Sequence, residues 1–348
     1  LMPAPSSHTG PVAILGAGAW GTALANIAAA RCSAMLWARN EEIAAAILSK
    51  HTNQKYLPDI PLHHSLQASS DLDRALNYAC DGELPGLLIL AVPLAGLRAL
   101  CGLLAEKLAQ RTDRIAGIVW TCKGLDASTG QLPSEIAQEA LSGKLSIPTG
   151  VLSGPSFARE VAQGLPVALT IASTSSELRA RCIDALHGGA VRVYASDDVV
   201  GVEVGGALKN VMAIACGICD GLGLGTNARA ALITRGLAEI ARFGEALGAR
   251  SATFYGLTGL GDLVLTATGD LSRNRQVGLE IGHGRTLSDI LAGGLTAEGA
   301  RCAQAVLHRA RALKVDMPIT QAVCEILFNG VAPIDAVTRL LAREATME

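Results

Sequence analysis

The chain has 348 residues, of which 50% are hydrophobic and only 3% are aromatic, and its formal net charge is −2. This length suffices for two domains with a large core that is packed mostly from aliphatic side chains. The near-neutral charge, without a basic stripe, argues against nucleic acid as a partner. No run of about 18 uninterrupted apolar residues occurs, so we expect no membrane insertion.

Residues 1–10, LMPAPSSHTG, lack the positive region and the apolar core of a secretion signal. Nine scattered cysteines without framework spacing favour reduced thiols in a cytoplasmic protein. Cys216 and Cys219 imitate a redox pair, but they lie near the end of a long apolar helical pattern, which favours packed core cysteines. The adjacent His63 and His64 have no further ligand close by, so no metal site is expected.

The first predicted strand, residues 12–15, leads directly into the glycine-rich turn GAGAWG at 16–21, and a helix-forming run follows at once. Gly16 permits the tight turn, Gly18 lets the backbone approach a pyrophosphate, and Gly21 lets the helix pack against the strand. The free N–H groups at the start of the helix attract the anion. This order predicts a dinucleotide-binding site.

The second predicted strand, residues 33–38, ends at Arg39. A cofactor without a 2′-phosphate is usually held at this point by an acidic residue, whereas an arginine suits the 2′-phosphate. We therefore favour NADPH and retain NADH as an option. A solvated arginine at a strand end is the structural alternative. The missing acid also disfavours an S-adenosylmethionine pocket.

Repeated strand–helix alternation in the first part predicts a Rossmann-type open parallel sheet domain over residues 10–197, in the α/β class. From about residue 199 the strand patterns end, and an all-helical domain is predicted over 198–348, with the boundary near Asp197–Asp198. The predicted strands are 12–15, 34–38, 87–92, 115–120, 149–152, 167–171 and 190–194. The predicted helices include 22–30, 41–49, 96–109 and 133–141, followed by 200–219, 227–248, 275–282, 286–293, 298–313, 318–328 and 333–343.

Lys209 interrupts the helix predicted over residues 200–219, which is apolar nearly all round and should be buried. An unpaired ammonium group is costly to bury. A structural ion pair is one explanation, and Glu203 is a candidate partner, although a spacing of six residues is unfavourable on a helix. Surface snorkelling is a second explanation. The third is a general acid/base lysine at the wall of a pocket.

Further polar residues follow two neighbouring predicted strands. Lys123 follows one buried strand, and Gly154 and Ser156 of LSGPSFA follow the next. The carboxyl ends of strands in open α/β sheets border the ligand crevice, so these residues are candidates for a binding site.

Two stretches of the helical part add to the candidate site. Asp262 is expected in a glycine-rich turn, and Ser272 is predicted to cap a helix with Arg273 and Asn274 in its first turn. An arginine there opposes the helix dipole unless an anion neutralises it, which indicates a phosphate. An ordinary solvated helix start is the alternative.

Six motifs occur together in order: GAGAWGTALA, WTCKGLD, LSGPSFA, GALKNVMAIA, GLGDLVLT and SRNR. Over about residues 11–340 the chain resembles the bacterial-type NAD(P)-dependent glycerol-3-phosphate dehydrogenase family. The resemblance implies a Rossmann-type domain followed by a helical domain, a homodimer, and interconversion of dihydroxyacetone phosphate and sn-glycerol 3-phosphate for phospholipid synthesis.

The resemblance also implies roles for matched residues. Lys209 is similar to the catalytic acid/base, Lys123 to the lysine that touches substrate and cofactor, and Asp262 to the carboxylate that orients Lys209 and the substrate hydroxyl. The implied substrate-binding residues are Lys123, Gly154, Ser156, Lys209, Asp262, Ser272, Arg273 and Asn274. The cofactor-binding residues are Gly16, Gly18, Ala19, Trp20, Gly21, Arg39, Lys123, Ala158, Arg273 and Glu298.

Three positions depart from the family pattern: Thr226 replaces a frequent acid, Arg229 a lysine, and Leu94 a small polar residue. None of them is catalytic, but Leu94 bears on cofactor affinity. Two other functions stay open at this stage. One is a related hydroxy-acid dehydrogenase or keto-acid reductase, which would not need a phosphate site. The other is a non-catalytic NAD(P)H-sensing module.

Overall fold

The computed structural model describes residues 9–342. Most of residues 1–10, for which the sequence analysis expects no secretion signal, therefore lies outside the described residues. The chain divides into two compact units. The first contains the residues up to Lys123 and Pro133–Val199, and the second contains Gly124–Leu132 and the chain from Val200 onward. The sequence pattern did not predict that Gly124–Leu132 groups with the second unit. The assignment of cofactor and substrate roles to residues 10–197 and 198–348 stays a prediction.

The first unit alternates strands and helices around an eight-stranded sheet, with a separate two-stranded hairpin formed by β3 and β4. Its strands and helices are, in chain order, β1 (Val12–Leu15), α1 (Ala19–Ala29), β2 (Ala34–Trp37), α2 (Glu41–Lys50), β3 (Thr52–Asn53), β4 (Leu57–Pro61), β5 (Gln67–Ser69), α3 (Leu72–Cys80), β6 (Gly86–Leu90), α4 (Leu94–Lys107), β7 (Ile115–Trp120), α5 (Pro133–Leu141), β8 (Thr149–Ser153), α6 (Ala158–Ala162), β9 (Val167–Ala172), α7 (Ser176–Leu186) and β10 (Val191–Ser196).

The strand order in the large sheet is β10-β9-β8-β7-β6-β1-β2-β5. Neighbouring strands are parallel except for β8 and β9, which pair antiparallel. The five-residue helix α6 lies between these two strands. The predicted Rossmann-type sheet is therefore confirmed as mostly parallel.

The core of the first unit lies around the central strands. Every residue of β1 and β6 is buried, which is typical of parallel strands that are covered on both faces. Ile14, Leu36 and Ile89 pack in one apolar cluster with Leu24 of α1. Because β5, β2, β1, β6, β7 and β8 run in the same direction, their carboxyl ends share one edge of the sheet.

All described elements of the second unit are helical, as the sequence predicted. They are α8 (Val199–Gly221), α9 (Gly225–Ala246), α10 (Ser251–Phe254), a π-helical turn (Leu257–Gly261), α11 (Asp262–Thr268), α12 (Arg273–Gly282), α13 (Leu287–Ala292), α14 (Glu298–Ala312), α15 (Pro318–Phe328) and α16 (Pro333–Leu341).

Helix α8 is the central helix of the second unit. By length and composition it could cross a membrane, but 89% of its most apolar window is buried inside the protein, as expected for a core helix. Glycines bring its backbone against α12. A Cβ atom on Gly217 would lie 2.1 Å from the Arg275 carbonyl oxygen, and one on Gly278 would lie 2.1 Å from that of Ile214. This close packing fixes α12 on α8.

The cysteines are packed in the interior, as predicted. All nine are buried and lie outside any disulfide in the described part of the chain. Cys216 and Cys219 lie inside α8, and burial raises the pKa of the Cys216 thiol to about 12. A thiol so rarely ionised is a poor nucleophile, so the C-x-x-C spacing here is a feature of helix packing.

A buried carboxyl group joins α9 to the start of α15. Glu239 is 1% exposed, and its carboxylate accepts a hydrogen bond from the backbone N–H of Ile319. It also accepts hydrogen bonds from Thr320, from the backbone N–H at 3.2 Å and from the hydroxyl at 3.1 Å. Burial raises the pKa of Glu239 from 4.5 to about 7, against the lowering effect of these hydrogen bonds. The folded state therefore binds more protons than the unfolded state between these two values.

This raised pKa predicts a pH-dependent stability. Because the native state holds the extra proton, the free energy of unfolding should fall as the pH rises from 4.5 to about 7. Across this range, the free energy of unfolding of wild type should fall by more than about 1 kcal/mol relative to that of Glu239→Gln, as measured by urea unfolding. The exposed Glu106→Gln should differ from wild type by less than about 0.5 kcal/mol throughout. A constant difference between Glu239→Gln and wild type at every pH would contradict the assignment.

Candidate active site

The glycine-rich turn between β1 and α1 has the geometry that a dinucleotide requires. Gly16 has a φ of +123°, and a Cβ atom there would lie 2.5 Å from the Ala91 carbonyl oxygen. A Cβ atom on Gly21 would lie 1.9 Å from the carbonyl oxygen of Gly16. A Cβ atom on Gly18 would meet nothing within 4 Å, so this side of the turn is open. Packing thus requires two glycines, and the third leaves the backbone accessible.

The start of α1 can receive an anion. Gly18 is its N-cap residue and provides no side-chain hydrogen bond, and the first turn contains no acidic residue. The N–H groups of such a helix start suit a phosphate. Ala19 and Trp20 are half-buried in this first turn. Ala158 begins α6, which packs against α1.

Arg39 lies just beyond β2, at the sheet edge that also holds the glycine-rich turn. Its side chain is exposed. The next residue, Asn40, caps α2 by accepting a hydrogen bond from the backbone N–H of Ile43 at 3.0 Å. Arg39 is thus fixed at its backbone while its guanidinium group stays accessible to a ligand.

Lys123 and the LSGPSFA stretch lie at the same edge, after the parallel neighbours β7 and β8. The Lys123 Nζ donates a hydrogen bond to the Gly154 carbonyl oxygen at 3.3 Å, and the Ser156 hydroxyl donates to the same oxygen at 3.3 Å. Gly154 has a φ of +137°, and a Cβ atom there would lie 2.9 Å from the Ala168 carbonyl oxygen. The turn after β8 therefore requires glycine at this position.

Lys209 in α8 forms an ion pair with Asp262, and both residues are deeply buried, at 8% and 0% exposed. The Lys209 Nζ donates to Asp262 Oδ1. Asp262 is thus an observed partner of Lys209. The Thr266 hydroxyl donates to the Asp262 carbonyl oxygen at 2.6 Å and lies 3.4 Å from Oδ1.

The expected glycine-rich turn is the π-helical turn Leu257–Gly261, and Asp262 is both its C-cap residue and the first residue of α11, a helix that the sequence did not predict. Gly205, one turn before Lys209 on α8, explains the approach. A Cβ atom on Gly205 would lie 2.3 Å from the Thr258 carbonyl oxygen, so only glycine lets the π-helical turn rest on α8. This contact places Asp262 beside Lys209.

The buried ion pair has both an energetic and a chemical consequence. Removing one partner of such a pair costs about 3–5 kcal/mol, because the remaining charge is left uncompensated. Asp262 therefore holds the Lys209 Nζ at a fixed place. An oriented ammonium group next to a carboxylate is suited to general acid–base catalysis.

The start of α12 is built as the sequence predicted. Ser272 is its N-cap residue, is 3% exposed, and accepts a hydrogen bond from the backbone N–H of Arg275 at 3.2 Å. Asn274 Oδ1 accepts a hydrogen bond at 3.0 Å from the backbone N–H of Gly299, next to the exposed Glu298 at the start of α14.

The two arginines of the SRNR motif have different surroundings. Arg275 forms ion pairs with Asp220 at 2.9 Å and with Asp270 at 3.1 Å. Asp220 also forms an ion pair with Arg229 at 3.0 Å. Arg229, which replaces the lysine of the family pattern, therefore has a structural role. Arg273 is exposed, and its guanidinium group donates to the Thr296 hydroxyl at 2.7 Å. Between residues 9 and 342 Arg273 has no carboxylate partner, so its charge is available to an anion.

Sequence reasoning missed the residues that hold these groups in place. Two of them make contacts with elements that are distant in the chain: Gly205 with the π-helical turn, and Asp220 with Arg275. The third, Thr266, bonds to Asp262 within the same short helix. The only sequence signal for Gly205 is its spacing of four residues from Lys209, which places both on one face of a helix.

Comparisons with known proteins match most of the chain to one family. The family model described as NAD-dependent glycerol-3-phosphate dehydrogenase N-terminus matches residues 11–179, and the corresponding C-terminus model matches 198–338. The chain is 58% identical over 338 residues to a glycerol-3-phosphate dehydrogenase [NAD(P)+] of Burkholderia cenocepacia, covering 97% of this chain and 99% of the relative.

Solved structures give the same result. The glycerol-3-phosphate dehydrogenase of Coxiella burnetii is 39% identical with a TM-score of 0.86, covering 96% of this chain and 99% of that one. The enzyme of Saccharomyces cerevisiae is 28% identical with a TM-score of 0.81, covering 95% and 99%. The resemblance found in the sequence motifs is thereby confirmed, and the chain belongs to the NAD-dependent glycerol-3-phosphate dehydrogenase family.

Proposed function

We propose that this protein is an NAD(P)-dependent oxidoreductase that interconverts dihydroxyacetone phosphate and sn-glycerol 3-phosphate. The observation that supports this most directly is the buried Lys209–Asp262 ion pair in a chain of this family. The product sn-glycerol 3-phosphate supplies the glycerol backbone of phospholipids.

Lys209 is the general acid. It donates a proton to the C2 oxygen of dihydroxyacetone phosphate as negative charge develops there, and it accepts the proton in the reverse reaction. Asp262 orients the Lys209 Nζ and the substrate hydroxyl. Such proton transfer contributes about 10²–10⁴-fold to the rate. A bound nicotinamide cofactor supplies the hydride that adds to C2.

Arg273, Ser272 and Asn274 at the start of α12 bind the substrate phosphate. The exposed guanidinium group of Arg273 supplies a positive charge without a carboxylate partner in the described chain. The positive end of the helix dipole adds to this attraction. In the first unit, Lys123, Gly154 and Ser156 provide further substrate contacts, which the shared hydrogen bonds at the Gly154 carbonyl oxygen support.

The open glycine-rich turn fits the pyrophosphate of a dinucleotide, and Arg39 supports a preference for NADPH over NADH. The turn would hold the phosphates through backbone N–H groups, while the accessible guanidinium group of Arg39 would pair with a 2′-phosphate. The further cofactor contacts proposed here are Ala19, Trp20, Lys123, Ala158, Arg273 and Glu298.

The protein is proposed to work in the cytoplasm as a homodimer, without nucleic-acid partners or membrane insertion. The buried cysteines, which form no disulfide among the described residues, support a reducing compartment. The burial of α8 within its own unit supports a core role for that helix.

The direct test is the loss of NADPH absorbance with dihydroxyacetone phosphate in wild type and in Lys209→Met. We expect wild-type turnover and a kcat lower by about 10²–10⁴-fold in the variant, because the proton donor is removed. The Kd for NADPH, measured by fluorescence, should change by less than about threefold. Wild-type-like turnover in Lys209→Met would remove Lys209 from the mechanism. Absence of turnover in wild type would leave the sensing module as the better explanation.

Arg273→Ala tests the phosphate site. Loss of a charged hydrogen bond should lower kcat/KM for dihydroxyacetone phosphate by about 10–100-fold. Activity with unphosphorylated dihydroxyacetone should fall much less, so the ratio of the two kcat/KM values reports the phosphate contact. Arg285→Ala, which removes an exposed arginine just beyond α12, should change this ratio by less than about twofold. An equal loss for both substrates in Arg273→Ala would assign another role to Arg273.

Arg39→Ala tests the cofactor preference. The Kd for NADPH should rise by about tenfold or more, because a charge-assisted contact to the 2′-phosphate is lost. The Kd for NADH should rise much less. Lys50→Ala, which removes another exposed cation at the end of α2, provides the control. Equal effects of Arg39→Ala on the two cofactors would contradict the proposed 2′-phosphate contact.

A further inference from the structure

Asn53 is a buried amide that contacts the glycine-rich turn from outside the large sheet. It lies in β3 and is 2% exposed. Its Nδ2 donates hydrogen bonds to the Ala17 carbonyl oxygen at 3.0 Å and to the Thr22 hydroxyl at 2.8 Å. A carbonyl oxygen only accepts hydrogen bonds, so the amide nitrogen must face Ala17.

The bond to Ala17 fixes the middle of the turn. In a planar trans peptide the C=O and the following N–H point in opposite directions. Holding the Ala17 oxygen toward Asn53 therefore directs the Gly18 N–H away from it. Within residues 9–342 the Gly18 N–H donates to no other group, and the space that a Cβ atom on Gly18 would occupy is open.

The hairpin of β3 and β4 holds Asn53 in place. Asn53 pairs with Leu57 across the hairpin, and its carbonyl oxygen accepts a hydrogen bond from the Tyr56 backbone N–H at 3.3 Å. Leu57 is 2% exposed and belongs to the apolar core cluster of the first unit. The amide thus reaches the turn from a backbone segment that is anchored in the core.

The other end of the same amide argues against a purely stabilising role. Asn53 Oδ1 is buried and has no hydrogen-bond partner in the part of the chain that the structure describes. A buried acceptor without a partner carries a desolvation cost. An asparagine at this position is therefore explained better by what its donor group holds than by a gain in stability.

We propose that Asn53 is a positioning residue of the dinucleotide-binding turn. By holding the Ala17 carbonyl, it keeps the Gly18 N–H available to the phosphates of the cofactor. This inference rests on the proposed function. It predicts an effect on cofactor binding and not on the proton transfer by Lys209.

Asn53→Leu tests the inference, because leucine has a similar shape and no donor. The Kd for NADPH, measured by fluorescence titration, should rise by about tenfold or more. The kcat and the KM for dihydroxyacetone phosphate at saturating NADPH should stay within about threefold. Asn53→Ala gives a second variant if leucine prevents folding, and it should weaken NADPH binding similarly.

Thr22→Val is the matched control, because it removes the other hydrogen bond of the same amide and leaves the bond to Ala17. It should raise the Kd for NADPH by less than about threefold, and urea unfolding of both variants without cofactor measures any general loss of stability. The inference would be overturned if Asn53→Leu bound NADPH as tightly as wild type, or if Thr22→Val weakened NADPH binding as much as Asn53→Leu does. In either case, activity of the wild type would still support the proposed function. A wild type that neither binds NADPH nor reduces dihydroxyacetone phosphate would overturn both.

Discussion

The second unit depends on one constraint: a lysine in the middle of an apolar core helix needs a carboxylate beside it. Lys209 on α8 meets this constraint through Asp262, which lies 53 positions later in the chain. The pairing requires the backbone of the π-helical turn to rest on α8, and this contact requires Gly205. A single buried charge therefore determines which residues can occupy the adjoining elements.

The first unit, like the contact at Gly205, depends on glycines, whose lack of a side chain lets backbone groups come close to one another. Gly16 and Gly21 are required by packing, whereas Gly18 leaves its side of the turn open. Asn53 then fixes the peptide between Ala17 and Gly18 from a separate hairpin. Both units thus combine close backbone packing with one buried polar side chain that holds a functional group in place.

Sequence patterns predicted the elements whose signals are local. The observed bounds of β1, β7, α5 and α15 equal the predicted bounds. The two strands are clear apolar runs, and each of the two helices has a proline at its start. The three-residue β5 was missed because so short a strand leaves no clear pattern. The resemblance to the family implied Asp262 as the carboxylate beside Lys209, and the structure shows this ion pair, but a spacing of 53 residues leaves no local pattern from which the pair could be derived. For the same reason nothing in the chain around Asn53 indicated its contact with Ala17.

The most direct measurement is a double-mutant cycle on the free energy of unfolding with Lys209→Met, Asp262→Asn and the double variant. If the two charges compensate each other in the core, each single variant should lose about 3–5 kcal/mol. The double variant should lose at least about 1 kcal/mol less than the sum of the two single losses. Losses that add within about 0.5 kcal/mol would show that Lys209 and Asp262 act independently, and would contradict the account.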